Sequence, residues 1–294
     1  MNCFVLKKGS TRLLLADPLA AEAYYRGTRF DRSGIILELD YSGHSFVRPW
    51  FRKYDPYIHD AVSGPAEEFT QIGYENVAPG EEFLKIGVGI LKRDIRPYDR
   101  FNLYEISDAG RISVDRGEDS AIFRQELDGH YDYSKQVEIV EDGHLVIKHK
   151  LLNLSRQALD FYVYSHNFFI IDSKPVNTAT RFIFPFKPRG DWRAENDAVS
   201  LVDSGIAFYR ELAEKETVFM GNLHGQSGAP FKFVLEDKDS CLSVFGACDA
   251  EVEYSVFWAN HDVACIEPYV PMHILPGETA CWTLDYRFGK GRRS

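Results

Sequence analysis

Cysteine is sparse and does not fall into pairs. The five residues Cys3, Cys241, Cys248, Cys265 and Cys281 are an odd number, scattered along 294 positions. No Cys-x-x-Cys spacing occurs, which argues against a zinc knuckle, and the set fits a reducing compartment. Long apolar runs are missing too. Nothing approaches the roughly 18 residues a membrane span needs, and the opening Met1-Asn2-Cys3-Phe4-Val5-Leu6-Lys7-Lys8 lacks the apolar stretch of a secretory signal. The expectation is a cytoplasmic protein with no membrane partner. Positive charge is also short: 34 Lys and Arg face 44 Asp and Glu, a net charge of −10. Such a field repels a phosphate backbone, so nucleic acid is excluded as a partner. Helical signals are few. A short helix is expected over 17–23, where Asp17 caps and Pro18 suits the first helical position, and a weaker one over 206–215. No internal repeat, low-complexity tract or linker divides the chain, so residues 1–294 are read as one domain.

Aromatic residues are abundant instead, 14% of the chain with 16 Tyr and 21 Phe. They favour pleated sheet and leave aromatic surface for stacking on a ligand. Strands are expected over 33–39, with a turn at Tyr41-Ser42-Gly43, and over 82–91, where Gly87 and Gly89 suggest a bulge or close backbone approach. Residues 101–106 and 111–115 flank Ser107-Asp108-Ala109-Gly110 as a hairpin. Residues 136–140 and 144–152 flank Glu141-Asp142-Gly143 as another. A long extended run covers 159–171. At the end Trp282, Leu284, Tyr286 and Phe288 alternate with Cys281, Thr283, Asp285 and Arg287, a half-buried strand. Many closely spaced strands, hairpin turns and few helices predict an all-β fold, a large antiparallel sandwich.

Two segments carry candidate chemistry. In Tyr162-Val163-Tyr164-Ser165-His166-Asn167-Phe168-Phe169 a strand places His166 on one face with Tyr162, Tyr164 and Phe168. An imidazole among aromatics suits an apolar sugar face and proton transfer near neutral pH, or else it is a core histidine bonded to backbone. In Ala264-Cys265-Ile266-Glu267-Pro268-Tyr269 the carboxyl of Glu267 sits among apolar neighbours. Desolvation there would raise its pKa and make it a base, the bland alternative being a salt-bridged glutamate. Ile274-Leu275-Pro276-Gly277-Glu278-Thr279 is a turn leading into the terminal strand.

These segments, in this order, resemble the galactose mutarotase-like superfamily of aldose 1-epimerases. His166-Asn167-Phe168-Phe169 is similar to the family's aromatic histidine motif, Glu267-Pro268 to its Glu-Pro, and Leu275-Pro276-Gly277-Glu278 with Thr283, Tyr286 and Phe288 to its final turn and strand. Tyr25-Arg26-Gly27-Thr28-Arg29-Phe30, followed by Gly43-His44-Ser45-Phe46, looks like its opening strand. The resemblance implies a β-supersandwich with a concave sugar-binding face and a small-molecule carbohydrate as partner. It implies anomer interconversion in which His166 protonates the ring oxygen and Glu267 deprotonates the anomeric hydroxyl, with no metal and no organic cofactor.

The candidate substrate contacts are Arg26, Arg29, Arg52, Glu68, Lys85 and Asn167. Lys85 stands where the family usually has a second histidine. Glu67 and Glu68 lie where related hexose-phosphate enzymes carry an arginine, and two carboxylates there would repel a sugar phosphate. Arg26 and Arg29 could equally pair with acids such as Asp31. Trp50 and Phe51 could stack on a sugar or anchor a loop, and His59 could touch substrate or lie at the surface. Two other functions share the scaffold: a non-catalytic carbohydrate-binding or sensing protein, and a lyase or hydrolase pairing Glu267 with Glu67 or Glu68.

Overall fold

The structure, a computed structural model, describes residues 3–225 and 230–291. Met1 and Asn2 of the N-terminal stretch lie outside them, and Cys3–Lys8 is a strand. Among the described residues the only helical element is one 3-10 turn, Tyr74–Asn76, and no helix is long and apolar enough to cross a membrane. Nearly everything else regular is strand, arranged in antiparallel sheets of ten, six, four and three strands.

The two large sheets face one another. The six-stranded sheet runs in the order Arg189–Trp192, Val218–His224, Tyr254–Ala259, Ala264–Ile274, Leu159–Phe168, Gly64–Phe69. In the ten-stranded sheet Thr279–Lys290, His144–Asn153, Tyr131–Glu141 and Ser120–Leu127 are consecutive neighbours. Alternation along these strands builds the core between them. Trp282, Leu284, Tyr286 and Phe288 point inward from the terminal strand, and Phe161 and Val163 meet them from the other sheet. Phe69 closes against Trp282 edge to face at 6.1 Å.

The hairpin at Glu141-Asp142-Gly143 forms as expected, with Gly143 at φ 75° and a bulge between Ile139 and Glu141. Other local expectations give way to packing. Residues 17–23 make a turn rather than a helix. Asp17 accepts from the Leu19 N–H at 3.1 Å, but the stretch has no apolar face to bury and Leu19 is 52% exposed. Residues 206–215 begin with the strand Gly205–Phe208, because Ile206 and Phe208 bury with a period of two. The run 82–91 is two strands, Glu82–Lys85 and Gly89–Lys92, folded back at Gly87, whose φ of 77° suits glycine. Ile106–Asp108 then pairs with Gly89–Lys92 instead of closing a hairpin with Arg111–Arg116. At Gly89 a Cβ would meet the Asp108 carbonyl oxygen at 2.1 Å, so only glycine admits that approach. Residues 25–30 form no strand. The Tyr25 hydroxyl accepts the backbone N–H groups of Arg29 and Phe30, both at 3.3 Å, in place of a ladder.

One strand organises the polar interior. On Gly64–Phe69, Glu67 and Glu68 are consecutive and so point to opposite faces. Glu67 enters the space between the sheets, where Lys135 and His149 of the ten-stranded sheet donate to it, the latter at 3.2 Å. Lys135 also donates to the Ser33 carbonyl at 2.9 Å and faces Asp31 at 3.5 Å, while the Tyr133 hydroxyl bonds Asp31 at 3.0 Å. The acidic pair is therefore no exposed patch. Burial alone would raise the Glu67 carboxyl, but Lys135 and His149 outweigh it and hold it at about 2.

A depressed folded-state value means stability present above the carboxyl's ordinary 4.5 and lost as pH falls towards 2. Chemical denaturation should show a flat midpoint above about pH 5 and a decline below it that is weaker in Glu67→Gln. Lys135→Met should destabilise by about 3–5 kcal/mol, because it leaves buried carboxylates unpaired. Adding Glu67→Gln should restore part of that loss.

Candidate active site

The strands Leu159–Phe168 and Ala264–Ile274 are antiparallel neighbours with Leu159 opposite Ile274 and Tyr164 opposite Tyr269. Carrying that register two residues further sets His166 opposite Glu267. Paired bonding stops at Tyr164 and Tyr269, and the next residue on the second strand is Pro268, which has no N–H to donate. Beyond the interruption the side chain of Asn167 takes over, its amide donating to the Ile266 carbonyl at 2.7 Å. Its carbonyl accepts from the Tyr286 hydroxyl, also at 2.7 Å. His166 and Glu267 thus project from one face of the sheet, with His166 Nε2 3.2 Å from Glu267 Oε1.

They share a cavity of about 460 Å³. Its aromatic walls are Trp50, Phe101, Phe168, Phe219, Trp258 and Tyr269, and its polar lining is Arg29, His59, Asp60, Arg100 and Arg193. That volume is within the ordinary range for small-molecule sites. The imidazole lies flat on Phe168 at 3.7 Å and edge-on to Trp258 at 5.7 Å, and its Nδ1 has no hydrogen-bond partner among the described residues.

Glu68 emerges on this same side of the sheet but stays behind the wall. Arg29 Nε donates to it at 2.7 Å, Lys85 and Arg100 stand at 3.6 Å, and the Tyr164 hydroxyl donates to the same carboxylate. Arg29 and Arg100 also donate to Tyr164 Oη at 3.0 and 3.1 Å. Burial opposes ionisation of Glu68, yet Lys85, Arg29 and Arg100 bring it down to about 2. The catalytic candidates move the other way. Burial lifts Glu267 to about 8 against the pull of Arg29 and Arg100. Burial, followed by repulsion from the same two arginines, pushes His166 well below its ordinary 6.5. At neutral pH the pair is an uncharged imidazole beside a carboxylic acid, with one proton between them.

Of the residues singled out from sequence, the structure brings together His166, Glu267 and Arg29, with Trp50 and His59. Five of the six expected substrate contacts do not line this cavity. Arg26 bonds the Tyr57 hydroxyl and the Ala21 carbonyl, and Arg52 pairs with Glu214 at 3.1 Å. Both line a separate groove with Phe51, away from the imidazole. Asn167 faces the core because it is one residue out of phase with His166. Lys85 is sealed beneath the cavity, bonding the Tyr98 hydroxyl at 2.9 Å. Glu68 supports the lining without joining it. The sequence reading did not single out Arg100, Arg193, Asp60, Phe101, Phe219 or Trp258. Of these, Trp258 carried a usable signal, lying on the strand Tyr254–Ala259 that pairs with Ala264–Ile274. Among the described residues no group of three or more His, Cys, Asp or Glu side chains could hold a metal ion.

No protein-family model and no curated protein sequence matches the chain. Solved structures do match over nearly its whole length. A protein from Synechocystis superposes with a TM-score of 0.61 at 13% identity, covering 98% of this chain and 96% of the other. An aldose epimerase homologue from C. elegans gives 0.57 at 10% identity, with 99% of both chains covered. A galactose mutarotase-like protein from Lactobacillus casei gives 0.55 at 10%, with 98% and 100% covered. The fold is the galactose mutarotase-like β-sandwich.

Because Asn167 bridges the interrupted ladder, Asn167→Ala should lower stability by on the order of 2 kcal/mol, removing the side-chain bonds to the Ile266 carbonyl and the Tyr286 hydroxyl. A ligand-contacting asparagine would instead lower sugar affinity at unchanged stability. Urea denaturation and calorimetry on one variant separate the two.

Proposed function

We propose that the chain is an aldose 1-epimerase-like isomerase that interconverts the anomers of a pyranose. The observation that carries this reading is the facing pair itself, His166 Nε2 and Glu267 Oε1 at 3.2 Å, in one aromatic-walled cavity. The aromatic walls suit the C–H faces of a sugar ring, and the two polar groups suit the two oxygens on its anomeric carbon.

The proton count is right for the reaction. Moving the shared proton from Glu267 to His166 gives imidazolium and carboxylate. Glu267 then takes the proton from the anomeric hydroxyl while His166 gives its Nε2 proton to the ring oxygen. The bond from the anomeric carbon to the ring oxygen breaks and the aldehyde forms. Rotation about the adjacent carbon–carbon bond and the reverse transfers close the other anomer. Arg29 and Arg100 favour the carboxylate form of Glu267 and make the His166 imidazolium the stronger acid, so it gives its proton up readily to the ring oxygen. No proton is gained or lost over the cycle.

The alternative, a sugar-binding or sensing protein without catalysis, differs in a single readout: saturable binding with no exchange. The hydrolase or lyase variant loses its carboxylate pair, because Glu67 and Glu68 are ion-paired outside the cavity lining.

Exchange spectroscopy by NMR on a panel of aldoses should show acceleration over the uncatalysed rate. His166→Ala and Glu267→Gln should each remove roughly 10²–10⁴-fold of it. The rate should fall as pH rises through about 8, where the pair loses its one proton. It should show no acid limb near 6.5, because His166 takes up a second proton only well below that value. Absence of exchange for every sugar that binds would overturn the enzymatic reading.

A further inference from the structure

The whole chain is acidic, with a net charge of −10, yet the surroundings of this cavity are not. Glu68 is a single carboxylate facing three cations, Arg29 at 2.7 Å and Lys85 and Arg100 at 3.6 Å. Two of the three, Arg29 and Arg100, reach the cavity lining. Arg193 lines it as well, held against the Phe219 ring at 3.8 Å, and among the described residues no carboxylate stands within ion-pair distance of it. The acids on the lining are Asp60 and Glu267. Glu267 keeps its proton below about pH 8 and so offers no compensating charge at neutrality. Lys85, lowered to about 8 by burial despite the pull of Glu68, is still largely charged there. Among the described residues three arginines, Arg29, Arg100 and Arg193, therefore line the hollow with Lys85 beneath them, and the buried Glu68 carboxylate is shared among three of these four cations.

Surplus charge next to a partly desolvated cavity is costly unless a counter-charge arrives with the ligand. The guanidinium groups are also free to receive one. Arg100 uses Nη1 towards the Tyr164 and Tyr269 hydroxyls and Glu68, which leaves Nε and Nη2 without a partner among the described residues. A planar pair of N–H groups of that kind matches a carboxylate or a phosphate oxygen pair.

We infer that the substrate is a pyranose carrying an anionic substituent, a carboxylate or a phosphate ester, seated against Arg100 and Arg193. This rests on the cavity being a sugar site and narrows the class of sugar it takes. The expectation from sequence that Glu67 and Glu68 would repel such a ligand is reversed, since both are neutralised by buried cations.

Calorimetry with glucose, glucuronate and glucose 6-phosphate on the full chain tests it, with anomer exchange read by NMR on the same samples. At least one charged sugar should bind ten- to a hundredfold more tightly than glucose at low salt, and whichever does so identifies the anion. The advantage should shrink as sodium chloride is added. The ratio of charged to neutral affinity should collapse towards one in Arg100→Gln and Arg193→Gln. Each ratio is measured within a single variant, so a general loss of folded protein cannot imitate the collapse. Glucose binding as tightly as both charged sugars, a ratio that survives in both variants, or no binding of any of the three overturns the inference. Charged-sugar preference without exchange leaves it standing and removes only the ring-opening chemistry.

Discussion

An interrupted hydrogen-bond ladder underlies this site. Between Leu159–Phe168 and Ala264–Ile274 the paired bonding ends at Tyr164 and Tyr269, where Pro268 supplies no donor. The facing side chains just past that gap are His166 and Glu267, each fixed by its second neighbour. His166 lies opposite Ala66 on Gly64–Phe69, and Glu267 opposite Val256 on Tyr254–Ala259. Four adjacent strands thereby hold the imidazole and the carboxyl in register, and past the gap the Asn167 side-chain amide ties the two strands by donating to the Ile266 carbonyl. A site on the faces of rigid strands needs no closing loop to bring its two reacting groups together.

Electrostatics follow from which side of one strand each acid takes. Glu67 and Glu68 are sequence neighbours with opposite surroundings, one between the sheets with Lys135 and His149, the other behind the cavity with Arg29, Lys85 and Arg100. The first ties the sheets together. The second fixes Arg29 and draws Arg100 towards the cavity, and these two arginines tune both Glu267 and His166. Burial and arginine proximity act in concert on the imidazole and in opposition on the carboxyl. The outcome is two groups whose ordinary order of proton affinity is inverted, a pattern that recurs where acid–base chemistry is performed.

The sheet architecture was legible in the sequence because alternation is a local signal. Trp282 through Phe288 and the Asp142-Gly143 turn read directly onto the terminal strand and the hairpin. The same alternation placed His166 with Tyr164 and Phe168. Asn167, expected as a substrate contact, instead takes the opposite face and bonds within the core, since one position along a strand reverses the face. What stayed hidden depends on non-local contact. Whether Arg26 or Arg29 reached the site turned on an irregular segment pinned by the Tyr25 hydroxyl, which no periodicity reveals. Arg100 and Arg193 come from stretches outside the strands. The pairing of Ile106–Asp108 with Gly89–Lys92 hinged on the missing side chain of Gly89.

The central physical claim is that Glu267 and His166 hold one proton between them at neutral pH. Infrared difference spectroscopy of the carboxyl band, referenced to Glu267→Gln, addresses it directly. A protonated carboxyl stretch is expected at pH 6 to 7, converting to the carboxylate band as pH rises through about 8. A Glu267 carboxylate already ionised at pH 6, with no change up to pH 9, would contradict the shared-proton pair and the chemistry built upon it.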